Sequence, residues 1–246
     1  MPEALVQVGM RIPADISPEL AEVIGVHLGD GFMVRYEAKG QSVSQVGFTG
    51  NMSEFPYYEN FIRPTFESAF GVVGRLFLRK LDHTTRYVVY SRELVQYLVT
   101  LGLPLGKKHD AAIPPFLLER GLVIPCIRGF YHAEGSIYRR YSKAYKGHHK
   151  VYDNLLTLQV RAKLKTVMSQ VTEELSRLQI VCNRLTANDG VYTLRITRQS
   201  EIAKFFKVIQ PRLKVLPRPK NPLIAGQGRL GMRACGSARL EQLALS

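Results

Sequence analysis

A nine-residue pattern occurs twice in this chain. Residues 23–31 read V-I-G-V-H-L-G-D-G and residues 127–135 read I-R-G-F-Y-H-A-E-G. Each copy is an apolar helical run with an inner glycine, then a small residue, one carboxylate and a closing glycine. The carboxylates, Asp30 and Glu134, stand 104 positions apart, so each half of the chain delivers one acid from the same local context. A glycine in a helix interior costs about 1 kcal/mol relative to alanine. That cost is offset where the missing side chain lets two helix backbones touch. Gly25 and Gly129 hold one shared place in the two copies, and Gly29 and Ala133 are again small at another. The pattern predicts two motif helices packed along these residues, forming the boundary between two halves and bringing two acids to adjoining helix ends.

The flanking sequence repeats in the same order. Ser17-Pro18 reads as an N-cap followed by proline at the first helical position, opening a helix that ends near Asp30. Strands are expected at 32–38 and 43–49, a helix at 55–70, a hairpin at 72–80 and 85–90, and a helix at 91–101. After the second motif come strands at 136–142 and 150–161, a helix at 164–179, strands at 180–186 and 190–197, and a helix at 200–209. The unit is α-β-β-α-β-β-α, present twice, and the fold class is α+β with two pseudo-symmetric repeats. Glycines and prolines punctuate residues 101–115 between them. The first repeat is assigned to residues 1–106, the linker to 107–115, the second repeat to 116–216 and a basic tail to 217–246. Pro125 lies inside the run leading to the second motif. A fresh helix start there, after a short helix ended by Gly121, is preferred over a kinked helix.

Charge narrows the class of partner. Thirty-four Lys and Arg against 20 Asp and Glu leave a formal charge of +14, an excess that suits a polyanion, because basic groups set against phosphates release counterions. No apolar run is long enough to cross a bilayer, so no membrane partner is expected. The N-terminus has no charged-then-apolar signal layout, which makes a prokaryotic cytoplasmic or an organellar protein the expectation. Cys126, Cys182 and Cys235 are far apart and lack C-x-x-C spacing, against a disulfide framework and against a zinc site.

Two carboxylates at neighbouring helix C-termini stand where the helix carries partial negative charge. They repel unless a cation lies between them, and hard oxygen ligands of this kind suit Mg²⁺ with positions left for water and phosphate. The strands indicate where a duplex would lie. Thr157, Gln159, Arg161 and Lys163 alternate with apolar residues, as do Thr193, Arg195 and Thr197. Residues 138–152, including Tyr138 and Arg140, form a basic, aromatic hairpin tip. The first half offers Tyr36, Gln45, Arg75, Arg79 and Arg86. Side chains on such strands reach base edges in the major groove, while lysines meet phosphates. The tail from Pro217 is either a solvated basic extension or an arm along phosphates.

The doubled motif resembles that of the LAGLIDADG homing endonucleases, specifically the single-chain, two-repeat kind, over roughly residues 15–210. The glycine and acid positions match at both copies, and G-L-P-L-G-K-K at 102–108 followed by Ile113-Pro114 resembles the inter-repeat segment. His27 and Leu28 stand where the family name has Ile and Asp, positions that vary among members. The resemblance implies a saddle of two four-stranded antiparallel sheets gripping a long, asymmetric DNA site, with the motif helices at the repeat interface. It implies that Asp30 and Glu134, helped by the Gly29 and Ala133 carbonyls, coordinate two or three divalent ions, Mg²⁺ with Mn²⁺ as the alternative. Both DNA strands would be cut across the minor groove, leaving short 3′ overhangs. The family also places a basic residue near each half-site, which falls here on Lys107 or Lys108 and on Lys214. At the ends of the second strands the matching positions are near Asn51 and Ala162–Lys163, and Ala162 cannot position a water. Such proteins are monomers of this kind with no obligate protein partner and are encoded inside introns or inteins. The alternatives from the same residues are an intron RNA maturase of the same fold and a nuclease-inactive DNA-binding regulator.

Overall fold

The computed structural model of the chain describes residues 10–140, 143–145, 148–150 and 155–212. Lys214, Cys235, the tail from Pro217 and part of the basic stretch at 138–152 lie outside the described residues.

The Ser17 hydroxyl accepts the Leu20 amide at 3.2 Å and opens helix α1 (Pro18–Asp30), with Pro18 where no intrahelical donor is needed. Residues 20–28 of α1 are all buried, as a helix sandwiched between two repeats requires. Gly31 leads directly into β1 (Gly31–Ala38), which folds back on β2 (Gln41–Asn51) through Lys39-Gly40. Both turn residues have positive φ, 52° and 72°, the geometry of a two-residue hairpin loop whose twist matches its strands.

The helical region expected at 55–70 is present but not uniform. A 3-10 turn (Met52–Glu54) precedes α2 (Phe55–Tyr57), a π segment (Tyr58–Ile62) and α3 (Arg63–Phe70). Pro64 explains the wide turn: it has no amide to give residue 60, so the ladder steps to the Arg63 amide bonding the Tyr58 carbonyl. The repeat closes with β3 (Arg75–Arg79), β4 (Thr84–Tyr90) and α4 (Arg92–Thr100), the last capped by the Ser91 hydroxyl.

The second repeat holds α5 (Pro115–Glu119), α6 (Val123–Glu134), β5 (Gly135–Arg139), β6 (Lys143–Tyr145), β7 (His148–Lys150), β8 (Leu156–Ala162), α7 (Lys165–Arg177), β9 (Thr186–Asn188), β10 (Val191–Ile196) and α8 (Gln199–Ile209). Its sheet runs β5-β8-β10-β9, the counterpart of β1-β2-β4-β3 in the first, and all pairings are antiparallel. The fold is thus α+β with two four-stranded sheets. Among the described residues the minor hairpin β6–β7 has no counterpart in the first repeat.

Three expectations change in detail. Helix α6 starts at Val123, so Pro125 sits in the first turn, where its missing N–H would have had no intrahelical partner. The strand expected at 150–161 is divided: Lys150 belongs to β7 and β8 begins at Leu156. The strand expected at 180–186 is replaced by a short β9 at 186–188. Gln179, at φ 58°, and Ile180, whose amide bonds the Leu175 carbonyl at 2.8 Å, complete the C-terminal cap of α7 instead of starting a strand.

One face of each sheet is apolar and packs on the helices. Met33, Val46, Phe48, Tyr87 and Val89 from the first sheet and Leu158, Val160, Leu194 and Ile196 from the second join one continuous core with α1 and α6. The linker is packed onto that core. Leu103, Ala111 and Ile113 are buried, the Gly106 amide bonds the Met33 carbonyl at 2.8 Å, and Gln170 of α7 receives the Ile113 amide at 2.8 Å.

Candidate active site

Helices α1 and α6 cross backbone to backbone at Gly25 and Gly129. A Cβ on Gly25 would collide with the Cys126 carbonyl oxygen, and one on Gly129 with the Glu22 carbonyl oxygen. The collisions are reciprocal, as expected of pseudo-equivalent residues on two helices related by a twofold. One turn further on, a Cβ on Gly29 would collide with that of Ala133 and come within 3.1 Å of Glu134 Cγ. This close approach brings the two helix C-termini, and with them Asp30 and Glu134, to one place. Gly31 and Gly135 then start strands immediately, so each acid stands at the junction of the buried helix layer and the sheet.

The linker delivers a cation to the same place. The Lys108 ammonium donates to the carbonyls of His27 at 3.3 Å, Leu28 at 3.0 Å and, closest of all, Gly29. Burial pushes the Lys108 ammonium below its ordinary pKa, and the charges of Glu134 and Asp30 oppose that shift. Lys107, the other linker candidate, is exposed. The structure therefore separates two lysines that the sequence left equivalent. A cavity of about 470 Å³ opens beside this group, lined by Gly29, Lys108, His109 and Glu134 together with Arg161 and Lys163 at the end of β8.

These residues fit a divalent cation by their donor set. Two carboxylates and the Gly29 carbonyl converge where an ammonium is already held. Among the described residues no three His, Cys, Asp or Glu side chains cluster as a metal cage. A pair of carboxylates with a carbonyl matches the habit of Mg²⁺, which takes its remaining ligands from water and phosphate.

The Asp30 side has different neighbours. The hydroxyl of Tyr58 is held protonated by burial first and then by the charges of Asp30 and Glu54. Glu54 accepts the Asn51 amide at 3.1 Å, and Asn51 accepts the Ser53 amide at 2.9 Å, a reciprocal cap. Asn51 is thus engaged in starting the 3-10 turn. Where the second repeat presents Arg161 and Lys163, the first presents a capped Asn51, a carboxylate and a phenol.

Sequence reasoning missed a second polar group on the same helix pair. Glu22 is fully buried on α1. Its carboxylate accepts the Tyr57 hydroxyl at 2.9 Å, Arg128 Nη1 at 3.1 Å and Arg212 Nε at 3.0 Å. Arg128 Nε also reaches the Ile209 carbonyl at 2.6 Å, and the Arg212 amide donates to His132 Nε2 at 3.1 Å. The Arg212 guanidinium lies 4.6 Å over the Phe61 ring. The available signal was an acid in one apolar motif run and an arginine in the other.

The strand candidates fall on the faces turned away from the core. In the first sheet Tyr36, Gln45, Arg75, Arg79 and Arg86 share one face by cross-strand pairing. In the second, Tyr138, Thr157, Gln159, Arg161, Thr193 and Arg195 do the same, with Arg140 and Lys163 just past the ends of β5 and β8. Exposure divides them: Gln45, Thr157 and Thr193 are buried, whereas Tyr36, Arg75, Arg79, Tyr138, Arg161, Lys163 and Arg195 are exposed.

No family model matches the sequence, and no curated protein does. Solved structures do match. The homing endonuclease I-DmoI aligns at 22% identity over 79% of this chain and 96% of its own, with a TM-score of 0.55. The same enzyme in complex with DNA and Mn gives 24% identity, 79% and 97% coverage and a TM-score of 0.55. The LAGLIDADG meganuclease I-AabMI, bound to uncleaved DNA, gives 14% identity, 78% and 83% coverage and a TM-score of 0.54.

The chain has the two-repeat LAGLIDADG fold.

At these identities the likeness is one of fold, and it locates the parts. In this LAGLIDADG fold α1 and α6 are the motif helices, and β1-β2-β4-β3 and β5-β8-β10-β9 are the two sheets of the saddle. The departures at His27 and Leu28 are accommodated. Both are buried, and His27 packs edge-on against Phe48 with ring centroids 5.6 Å apart.

Proposed function

We propose that this chain is a metal-dependent, site-specific double-strand DNA endonuclease of the LAGLIDADG homing type. The observation that carries the reading is the convergence of Asp30 and Glu134, one from each repeat, beside the Lys108 ammonium and a basic cavity. A DNA-binding regulator would gain nothing from carboxylates aimed at phosphates. Solved structures of the same fold include an enzyme in complex with DNA and Mn and a meganuclease bound to uncleaved DNA, which supports duplex DNA and a divalent ion as partners.

Asp30, Glu134 and the carbonyls of Gly29 and Ala133 would hold the divalent ions, with Mg²⁺ as the expected species and Mn²⁺ able to replace it. When bound, such ions stabilise charge on a phosphoryl oxygen and lower the pKa of water. The remaining work belongs to the chain. Arg161 and Lys163 at the mouth of the cavity bind and orient the phosphate backbone. Lys108 offsets the negative charge that builds on the phosphorus oxygens as the water attacks. The crossing of α1 and α6 fixes the separation of the acids, which must serve two phosphates on opposite strands. We assign a long asymmetric target, a monomeric enzyme and an intron- or intein-borne gene to this reading.

The test is direct. The junction of the sequences flanking the reading frame is offered as a duplex. Retention with Ca²⁺ and cleavage of both strands with Mg²⁺ support the assignment, and intact DNA at the junction and in a randomised library rejects it.

A further inference from the structure

We propose that the two halves of the DNA site are read by different chemistry: the first sheet by apolar contact with thymine methyl groups, the second by hydrogen bonds to base edges. This deepens the endonuclease reading and rests on it.

The contrast lies in the two outward sheet faces. Cross-strand pairing puts Phe32, Val34, Tyr36, Phe77, Val88 and Tyr90 on the outward face of the first sheet. Tyr36, Phe77 and Tyr90 are 44%, 42% and 45% exposed, an unusual concentration of open aromatic surface for one sheet face. Of the polar groups there, Arg75 is exposed, while three others are covered or engaged. Gln45 is buried, paired opposite Val34 and Tyr90. The Arg86 guanidinium lies 4.6 Å over the Phe32 ring, and Arg79 pairs with Asp82 at 3.3 Å. Gly47 makes room for the Phe32 ring, since a Cβ there would come within 2.6 Å of it.

The second face carries Ser136, Tyr138, Gln159, Arg161, Thr193 and Arg195. Gln159 Oε1 receives Arg195 Nε at 3.2 Å and the Tyr138 hydroxyl at 3.4 Å. That bonding engages the Gln159 carbonyl oxygen with its neighbours on the face and leaves its amide nitrogen as a donor for a base edge. This face is made mostly of hydrogen-bonding groups, and Tyr138, 39% exposed, is its one large open aromatic ring.

The occupant of the first face is DNA by continuity and by charge. Phe32 is two residues from Asp30, so the patch begins at the acids, and Arg75, Arg79 and Arg86 surround it on a chain of charge +14. Among major-groove base edges, the one apolar group is the thymine methyl. An aromatic and aliphatic sheet face has little else there to recognise. A half-site rich in A·T pairs, with thymines placed against these rings, is the complement.

Sequences retained from a randomised duplex library with Ca²⁺ define the target. That target is then resynthesised with deoxyuridine for thymine in one half at a time, which deletes the methyl and keeps base pairing. In the half bound by the first repeat, each contacted methyl removed should weaken binding about three- to fourfold. The half bound by the second repeat should change less than twofold. The halves are distinguished with Arg195→Ala, which alters base preference only in the second. Phe77→Gln and Tyr90→Ser change exposed residues and should abolish the uracil penalty without unfolding the chain. Selective binding with equal uracil penalties in both halves overturns this inference alone. A library that yields no selected sequence overturns the endonuclease reading and this one with it.

Discussion

The Lys108 ammonium donates to the backbone carbonyl of Gly29, one residue before Asp30. This carbonyl belongs to the helix end at which the two acids meet, so a side chain from the inter-repeat linker supplies positive charge where a divalent ion would also bind. Lys108→Met should lower cleavage with Mg²⁺ by about a hundredfold or more, the range of a lost proton-transfer or charge-stabilising group. DNA retention with Ca²⁺ should change only severalfold. Because the ammonium occupies the Gly29 oxygen that an ion would use, the same variant should bind Ca²⁺ more tightly without DNA, as read by titration calorimetry. Lys107→Met should leave both measurements nearly unchanged.

Asp30→Asn and Glu134→Gln should each abolish double-strand cleavage while preserving Ca²⁺-dependent binding to the same duplex. Each substitution keeps the size of the side chain and removes one carboxylate charge. Cleavage and binding are followed separately, by gel and by filter retention. Undiminished cutting by both variants would remove the acids from the mechanism.

Gly25→Ala and Gly129→Ala test the helix crossing. Alanine gains about 1 kcal/mol in helix propensity, yet its Cβ must enter the carbonyl oxygen of the opposite helix. Overpacking of this kind costs about 1–3 kcal/mol and more where backbone must move. A net loss of stability in urea denaturation is expected at both positions, together with reduced cleavage, since separating the helices separates the acids.

Glu22→Gln should cost about 1–3 kcal/mol, the range for a lost hydrogen-bonded charge whose partners keep some access to water. Arg128 and Arg212 would lose the buried carboxylate that pairs them across the two repeats. Denaturant unfolding measures it. The apolar replacement Glu22→Leu with Arg128→Met should recover part of the loss, because the one charge then left without its carboxylate, that of Arg212, is on a side chain already 45% exposed.

His27 makes stability sensitive to acid. Burial is the main cause that lowers its pKa to about 3, and the nearby Lys108 charge adds to it. The Phe32 backbone opposes the shift without reaching hydrogen-bond geometry. The unfolded chain takes up a proton near pH 6.5 and the folded one does not until about pH 3. The stabilisation from neutral His27 is therefore complete above pH 6.5 and is lost as pH falls through that window, at up to about 1.4 kcal/mol per unit. His27→Phe should flatten this part of the stability profile in a melting series from pH 7 to 4.

The features legible in the sequence are those set by near neighbours or by a repeated period. Ser17 and Ser91 cap their helices through bonds to residues three positions on. The alternation in Leu156–Lys163 describes a strand with one buried face, and the doubled Gly-x-x-x-small-acid pattern describes two helices that touch. The repeat order, the strand pairs and the meeting of Asp30 with Glu134 follow from such patterns, while the two four-stranded sheets are implied by the family resemblance. Where the pattern misled, a local cap had won: Gln179 and Ile180 close α7, and their apolar neighbours read as a strand.

What only the tertiary structure decided depends on groups far apart in the chain. Lys107 and Lys108 are adjacent and chemically alike, and the choice between them is made by the packing of the linker on β1, which sends one inward and leaves the other in solvent. Glu22 finds Arg212 across 190 positions, and no local period announces that pair. The opposed character of the outward sheet faces also emerges only when register lines up Phe32 with Gly47 and Val88. Secondary structure and the two-acid motif are properties of short segments, so the sequence determined them by itself. The placement of the Lys108 ammonium, the Glu22 ionic cluster and the apolar outward face arise from burial and register, which require the whole chain to be folded.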